Sequence, residues 1–283
     1  MEKILNLEQH ILIMILLYLI MLVLILIRIK IHINRKPKEK YEVGVSMTIG
    51  NRELQEDNYN FIESQDGFLG VLADGMGKKY GGKISSQIAV DTFIELFEQF
   101  NAFDNPNYFF QKAFSIANKE ILKQLDDDKG GACVSTVLIR NDMLFYSLVG
   151  NVKIAVYRNG DLIPISTGHT INMLAEDRFK SGKLTRESAI SLLEEKRLYN
   201  YVGQDGFKNI EFFDEPISLK YGDVIVLFSD GVYEFLNWKE IENELAKRID
   251  IQKTAFNIIE KINISIREDR EKENASIMLI RVN

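Results

Sequence analysis

From Ile11 to Ile27 the chain is apolar on every face, with no charged residue, glycine or proline. As a helix that run rises about 25 Å, short of a hydrocarbon core near 30 Å. Continued past Arg28 and Lys30, whose stems carry their charges to the interface, as far as Ile33, it is long enough. Residues 11–33 are therefore predicted to form one transmembrane helix, with residues 1–10 as an N-terminal segment before it and 34–41 as a basic juxtamembrane linker after it. Arg28, Lys30, Arg35, Lys36, Lys38 and Lys40 follow the apolar run directly, which by the positive-inside rule places everything beyond residue 30 in the cytoplasm, on a single-pass cell-membrane anchor. A cleaved signal peptide would need a basic start and a small-residue cleavage site, and residues 28–40 offer no such site.

Beyond residue 41 the apolar runs shorten and take on strand and helix periods. Strands are predicted at Glu42–Thr48, Tyr59–Glu63, Phe68–Ala73, Cys133–Arg140, Met143–Val149, Ile154–Arg158, Val224–Phe228 and Ala275–Val282. Helices are predicted at Ile84–Phe97, Tyr108–Leu125, Ile171–Phe179, Ser188–Lys196, Trp238–Ala246 and Thr254–Arg267. The strands cluster early and centrally while helices intervene in pairs. That favours antiparallel sheets with helices packed outside them over a regular parallel βαβ alternation, and so an α+β layered domain over 42–283.

Composition narrows the function. Of 283 residues 46% are hydrophobic, enough for a sizeable core. The net charge of −6 argues against a nucleic-acid binder, because phosphate backbones are held by clustered Lys and Arg. The charge is divided: residues 1–40 hold seven cations and three acids, or +4, which leaves −10 for the rest. Cys133 is the one cysteine, so no intrachain disulfide forms and a reducing compartment is expected. It lies in an apolar strand and reads as a core thiol. His10, His32 and His169 have no metal-ligand spacing. Phe93, Phe97 and Phe100 read as core packing, and Asp126-Asp127-Asp128-Lys129 as a solvated helix end.

The informative residues are acids at the ends of apolar strands. Gly50 to Asn58 places Arg52 four residues before the pair Glu56-Asp57; Leu72-Ala73-Asp74-Gly75 and Phe228-Ser229-Asp230-Gly231 end two hydrophobic runs. Each Asp-Gly alone is an ordinary turn. Two ending strands point further, because an Asp there projects from a rigid sheet and the following Gly lets its carbonyl approach a ligand. Converging carboxylates repel unless a cation neutralises them, and hard divalent cations take oxygen ligands.

Together Arg52…Glu56-Asp57, Ala73-Asp74-Gly75-Met76-Gly77 with Gly81-Gly82 and Ser85-Ser86, Gly131-Ala132-Cys133-Val134-Ser135-Thr136, Phe228-Ser229-Asp230-Gly231 and Glu273-Asn274-Ala275-Ser276 resemble, in order and approximate spacing, the metal-dependent type 2C protein phosphatases, over about residues 43–282. The resemblance implies a four-layer α-β-β-α sandwich of two antiparallel sheets, and hydrolysis of phosphoserine and phosphothreonine. It implies two Mn²⁺ or Mg²⁺ ions: Asp74 bridges them, Asp230 and Glu273 complete one, and Glu56 with the Gly75 carbonyl the other. Asp57 would hold a metal-activated water, and Arg52 would bind the substrate phosphate. Side-chain charges fit, since one cation and five carboxylates sum to −4, which two divalent ions balance.

Several positions depart from the family pattern. Gly150-Asn151-Val152 stands for a usual Gly-Asp-Ser, and Glu234 for an Asp three residues after the late Asp-Gly, which puts a third metal in doubt. Glu273 replaces an Asp, Met76 stands where some members carry His, and Gly168-His169-Thr170 replaces Asp-His-Ser. Phe179–Leu198 would be the variable flap beside the site. Two readings stay open: a membrane-anchored cytoplasmic Ser/Thr phosphatase acting on phosphoproteins, with a Ser/Thr kinase as a natural partner at the membrane, or a catalytically weak or inactive binding and signalling module of the same fold.

Overall fold

A computed structural model describes residues 14–28, 40–125, 129–207, 209–213, 215–264 and 273–283, and the chain divides into Met1–Lys40 with Asn283, and Tyr41–Val282. In the first unit residues 14–28 are helical and every one of them is exposed. No helix among the described residues is long and apolar enough to cross a membrane. The expected span 11–33 is described only over 14–28, which rises about 22 Å against a core near 30 Å; residues 11–13 and 29–33, and the linker up to 39, lie outside the described residues.

The second unit runs β1 (Tyr41–Thr48), β2 (Asn58–Glu63), β3 (Phe68–Gly77), α1 (Gly81–Gln99), α2 (Pro106–Leu125), β4 (Gly130–Arg140), β5 (Met143–Val149), β6 (Lys153–Arg158), β7 (Asp161–Pro164), α3 (Ile171–Lys180), α4 (Arg186–Leu192), β8 (Glu211–Phe212), β9 (Ile217–Ser218), β10 (Val224–Phe228), α5 (Asp230–Tyr233), α6 (Trp238–Ala246), α7 (Ile251–Ile264) and β11 (Ala275–Val282). One sheet has the order β1-β11-β10-β6-β7 and the other β2-β3-β4-β5-β8, with β9 also on β5. Every pairing is antiparallel.

Strand alternation explains the layering. Along β3, Leu69, Val71 and Ala73 pack with α1 and α2, while Phe68 and Leu72 face the other sheet. Along β11, Ile277 and Leu279 pack with α6 and α7, while Met278 and Ile280 face inward. Both faces of each sheet are therefore covered, which is why these strands read as unbroken apolar runs. The layers are helices, sheet, sheet, helices, as expected for an α+β fold of this kind.

One helix boundary and one aromatic residue differ here from the sequence reading. The helix expected over Ser188–Lys196 is α4, Arg186–Leu192, because the Thr185 hydroxyl caps it by accepting the Ser188 N–H. The helix expected to reach Arg267 is described to Ile264, and residues 265–267 lie outside the described residues. Phe93 and Phe97 are core residues, with Phe93 edge-on to Phe114 at 5.0 Å. Phe100 is not: it lies exposed past the end of α1, with the Lys112 ammonium 3.4 Å from its ring centroid.

Away from the acidic strand ends, one buried ion pair joins β6 to the turn before β10. Arg158 Nε donates to both Asp223 oxygens, at 3.0 and 3.2 Å, and Asp223 is buried. Removing one partner of such a pair leaves the other charge uncompensated. We expect Asp223→Ala to cost about 3 kcal/mol, read as a lower urea midpoint at unchanged slope; a midpoint equal to the parent's would contradict it.

Candidate active site

Residues from both sheets converge at one end of the sandwich. The loop after β1 supplies Arg52, Glu56 and Asp57; the end of β3 supplies Asp74 and Gly75; the first residue of α5 is Asp230; and Glu273 immediately precedes Asn274 and β11. Arg52, Glu56, Asp74, Gly75, Asp230 and Glu273 line one cavity of about 200 Å³. Asp57 is buried and does not line it. Its Oδ2 accepts the Ser276 hydroxyl at 2.7 Å and the Ser229 hydroxyl at 3.0 Å, which fixes the carboxyl in orientation.

The loop holding Glu56 is pinned by Asn274. Its amide donates to the carbonyls of Ile49 and Leu54, at 2.9 and 3.0 Å, and its carbonyl oxygen accepts the Glu56 N–H at 2.8 Å. Asn151 Nδ2 donates to Asp230 Oδ2 at 2.7 Å, and the Tyr233 hydroxyl donates to the Asn151 carbonyl. Sequence reasoning assigned no role to Ser229, Asn274 or Ser276. The signal was present in part, since Ser229 stands beside Asp230 at the end of an apolar run and Asn274 stands beside Glu273.

Glycine at 75 is required sterically. A Cβ there would lie 2.2 Å from the Gly82 carbonyl oxygen and 2.6 Å from that of Glu56, and backbone atoms cannot swing aside. We expect Gly75→Ala to push β3 away from α1 and from Glu56, lowering thermal stability. Calorimetric melting checks this, and a parental thermal midpoint would contradict it.

Electrostatically the site is unbalanced. Burial, then Asp230 and Asp57, push the Asp74 carboxyl well above the usual range. Burial raises Asp57 to about 7 against its two hydroxyl donors. Burial and then Glu273 raise Asp230, and burial raises Glu56 against the opposing pull of Arg52. Among the described residues Arg52 is the one guanidinium on the cavity wall, and its Nη2 lies 2.5 Å from Glu273 Oε1.

Which residues could hold a cation follows from this donor set. All the side-chain donors are hard oxygens, and Glu56 Oε1 and Asp57 Oδ1 are buried without a hydrogen-bond partner. Buried acids whose ionised form is disfavoured are the groups that a divalent ion would stabilise most. Among the described residues no three acids, His or Cys form a ready-made ligand cluster. Glu273 is turned to Arg52 and Asp230 to the Asn151 amide. The residues fit divalent cations in chemistry and charge, and two of them would have to exchange these contacts to bind one.

His169 is no part of this chemistry. Its Nδ1 accepts the Gly150 N–H at 3.0 Å, and burial lowers its pKa to about 4. It is a neutral tie between the 168–170 loop and the end of β5. Cys133 sits opposite Asp74 across the β3–β4 ladder and touches the cavity wall. It is buried as expected, and burial raises its thiol pKa further, so it is not poised as a nucleophile.

Residues 46–257 match the family model of protein phosphatase 2C. The chain belongs to that family. It is thereby a protein phosphatase by class. The family's serine/threonine phosphatase stp of Listeria monocytogenes is 23% identical over 237 residues, 81% of this chain and 90% of that protein. Among solved structures, the serine/threonine phosphatase of S. agalactiae superposes with a TM-score of 0.72 at 24% identity, covering 86% of this chain and all of that one. The catalytic domain of the phosphatase PstP, solved in complex with two manganese ions, gives 0.66 at 19% identity, over 85% of this chain and 97% of that one. These likenesses carry the fold; the family follows from the match over 46–257.

Proposed function

We propose that this protein phosphatase hydrolyses phosphoserine and phosphothreonine in proteins with two divalent cations, Mn²⁺ or Mg²⁺, and does so at the cytoplasmic face of a membrane. The observation that carries the chemistry is the convergence of Glu56, Asp74, Asp230 and Glu273 with Arg52 on one cavity. The two manganese ions of the PstP neighbour support the same reading of the donor set. Asp74 would be shared, Asp230 and Glu273 would serve one ion, and Glu56 with the Gly75 carbonyl the other. When bound, such ions make water acidic enough to attack at neutral pH and offset charge on the phosphoryl oxygens.

The protein's own residues do the positioning. Arg52 presents a planar fork suited to two phosphate oxygens, and it releases Glu273 as it takes them. Asp57, fixed through Oδ2 by Ser229 and Ser276 and buried behind the cavity wall, would hold the attacking water in place. Met76 lines the cavity and offers no proton, so the leaving oxygen would take its proton from water or from another residue. No third cation is proposed. Asn151 is committed to Asp230, and Glu234 accepts the Lys196 ammonium at 3.1 Å.

The membrane reading rests on the apolar run 11–27, extended to 33, and on the large apolar side chains displayed along 14–27, with residues 34–41 as linker and 42–283 as the phosphatase domain. Targets would then be phosphoproteins at the inner membrane surface, with a Ser/Thr kinase as opposing partner. One assay tests the chemistry: a chromogenic phosphate ester and a phosphothreonine peptide, each with Mn²⁺, Mg²⁺ or chelator. Cation-dependent turnover is expected. Turnover indifferent to chelator would overturn the mechanism, and none in any metal would favour a binding module. Protection of the domain from external protease in intact cells is expected from the topology, and its digestion would reverse that.

A further inference from the structure

Beside the carboxylate site lies a second, larger cavity of about 760 Å³. The two have a common wall, formed by Met76, Gly77 and Leu198. Its apolar side comes from the end of α2, where Ile121 and Leu125 are buried and Leu122 is 41% exposed at the edge. Lys129, Arg197 and Asp205 add charged groups to its lining. An apolar floor inside a mixed polar rim is the anatomy of a side-chain receptor.

We infer that this cavity receives an apolar side chain of the phosphoprotein substrate, a few residues from the phosphorylated one, and so selects among substrates; the inference rests on the phosphatase reading above. A phosphoresidue with its phosphate at Arg52 must lead its chain out of a 200 Å³ site, and one way out crosses the wall of Met76, Gly77 and Leu198. An extended chain advances about 3.3 Å per residue with side chains on alternate faces. A neighbour two to four residues along therefore comes over the second cavity. Neither an ester without a chain nor free phosphate reaches it.

The experiment uses the intact chain and phosphothreonine peptides in which a single leucine is walked through the four positions on either side of an otherwise polar sequence. Affinity is read by fluorescence anisotropy and turnover by phosphate release, with a chromogenic ester alongside. One leucine position is expected to improve affinity and kcat/KM by roughly tenfold or more, the order expected for burying such a side chain. Leu122→Glu is expected to lower the peptide-to-ester ratio of kcat/KM by a similar factor, and the milder Leu122→Ala by less. A flat leucine scan in both readouts, or Leu122 variants that leave the peptide-to-ester ratio at the parent's value, would overturn the inference. Leucine-dependent binding without turnover would leave the receptor standing and remove the phosphatase reading instead.

Discussion

Asp74→Asn is expected to abolish turnover and at the same time to stabilise the cation-free protein. Asp74 stands where the carboxyls of Asp230 and Asp57 are both near enough to push its own pKa up. Asparagine keeps the shape of the side chain and removes an acid whose ionised form burial and its neighbours disfavour. The cation-free fold gains because it no longer has to suppress an ionisation that the unfolded chain allows at neutral pH, by about 1 kcal/mol, or a few degrees in thermal midpoint for a unit of this size. Function loses because the oxygen assigned to both cations becomes a weak neutral donor. If the ions supply about 4 kcal/mol of transition-state stabilisation, the loss is roughly a thousandfold. Thermal melts in chelator and with added Mn²⁺ separate the two effects. The parent should gain stability with Mn²⁺ by mass action and the variant much less. A variant less stable in chelator, or active to within tenfold, would mean that Asp74 is not the centre of the site.

The opposed signs of that prediction bear on what could be read in the sequence. Unbroken apolar runs such as Val224–Phe228 identified strands because sheets covered on both faces need apolar residues at every position. The short strands β7, β8 and β9 went unrecognised, since a few residues such as Asp161–Pro164 or Glu211–Phe212 carry too little pattern to distinguish a strand from a loop. β3 was expected to stop at Ala73 and continues to Gly77, through an Asp-Gly-Met-Gly segment with poor intrinsic strand preference. The ladder to β4, in which Asp74 faces Cys133 and Gly77 faces Gly130, overrides that preference and makes Asp74 part of the sheet. Asp74 and Asp230 stood out because they end apolar runs, whereas the roles of Glu56 and Glu273, in polar stretches, came only with the family resemblance. The supports of these acids were less legible: a serine or asparagine at the end of a strand reads as a turn, and only the fold shows Ser229 and Ser276 meeting on Asp57, or Asn274 joining residues more than two hundred positions apart.

Arg52→Ala separates substrate binding from cation binding, with opposite effects on the two. The guanidinium is bonded to Glu273, and both side chains are nearly half exposed, at 48% and 43%. A pair so open to solvent contributes no more than about 1 kcal/mol. Releasing Glu273 should therefore leave Mn²⁺ affinity unchanged or raise it by at most about fivefold. Phosphate binding has no such substitute, because no other cation lines the cavity among the described residues. A charge-assisted bidentate contact is worth about 3 kcal/mol, so kcat/KM should fall by roughly a hundredfold or more. Arg52→Lys should recover part of that loss, since a point charge replaces the planar fork. Inorganic phosphate as competitive inhibitor, measured beside Mn²⁺ titrations, reads the two effects independently. If Arg52→Ala weakened Mn²⁺ and left phosphate inhibition intact, the side chain would be organising Glu273 for the cations, and the phosphate contact would have to lie elsewhere on the cavity wall.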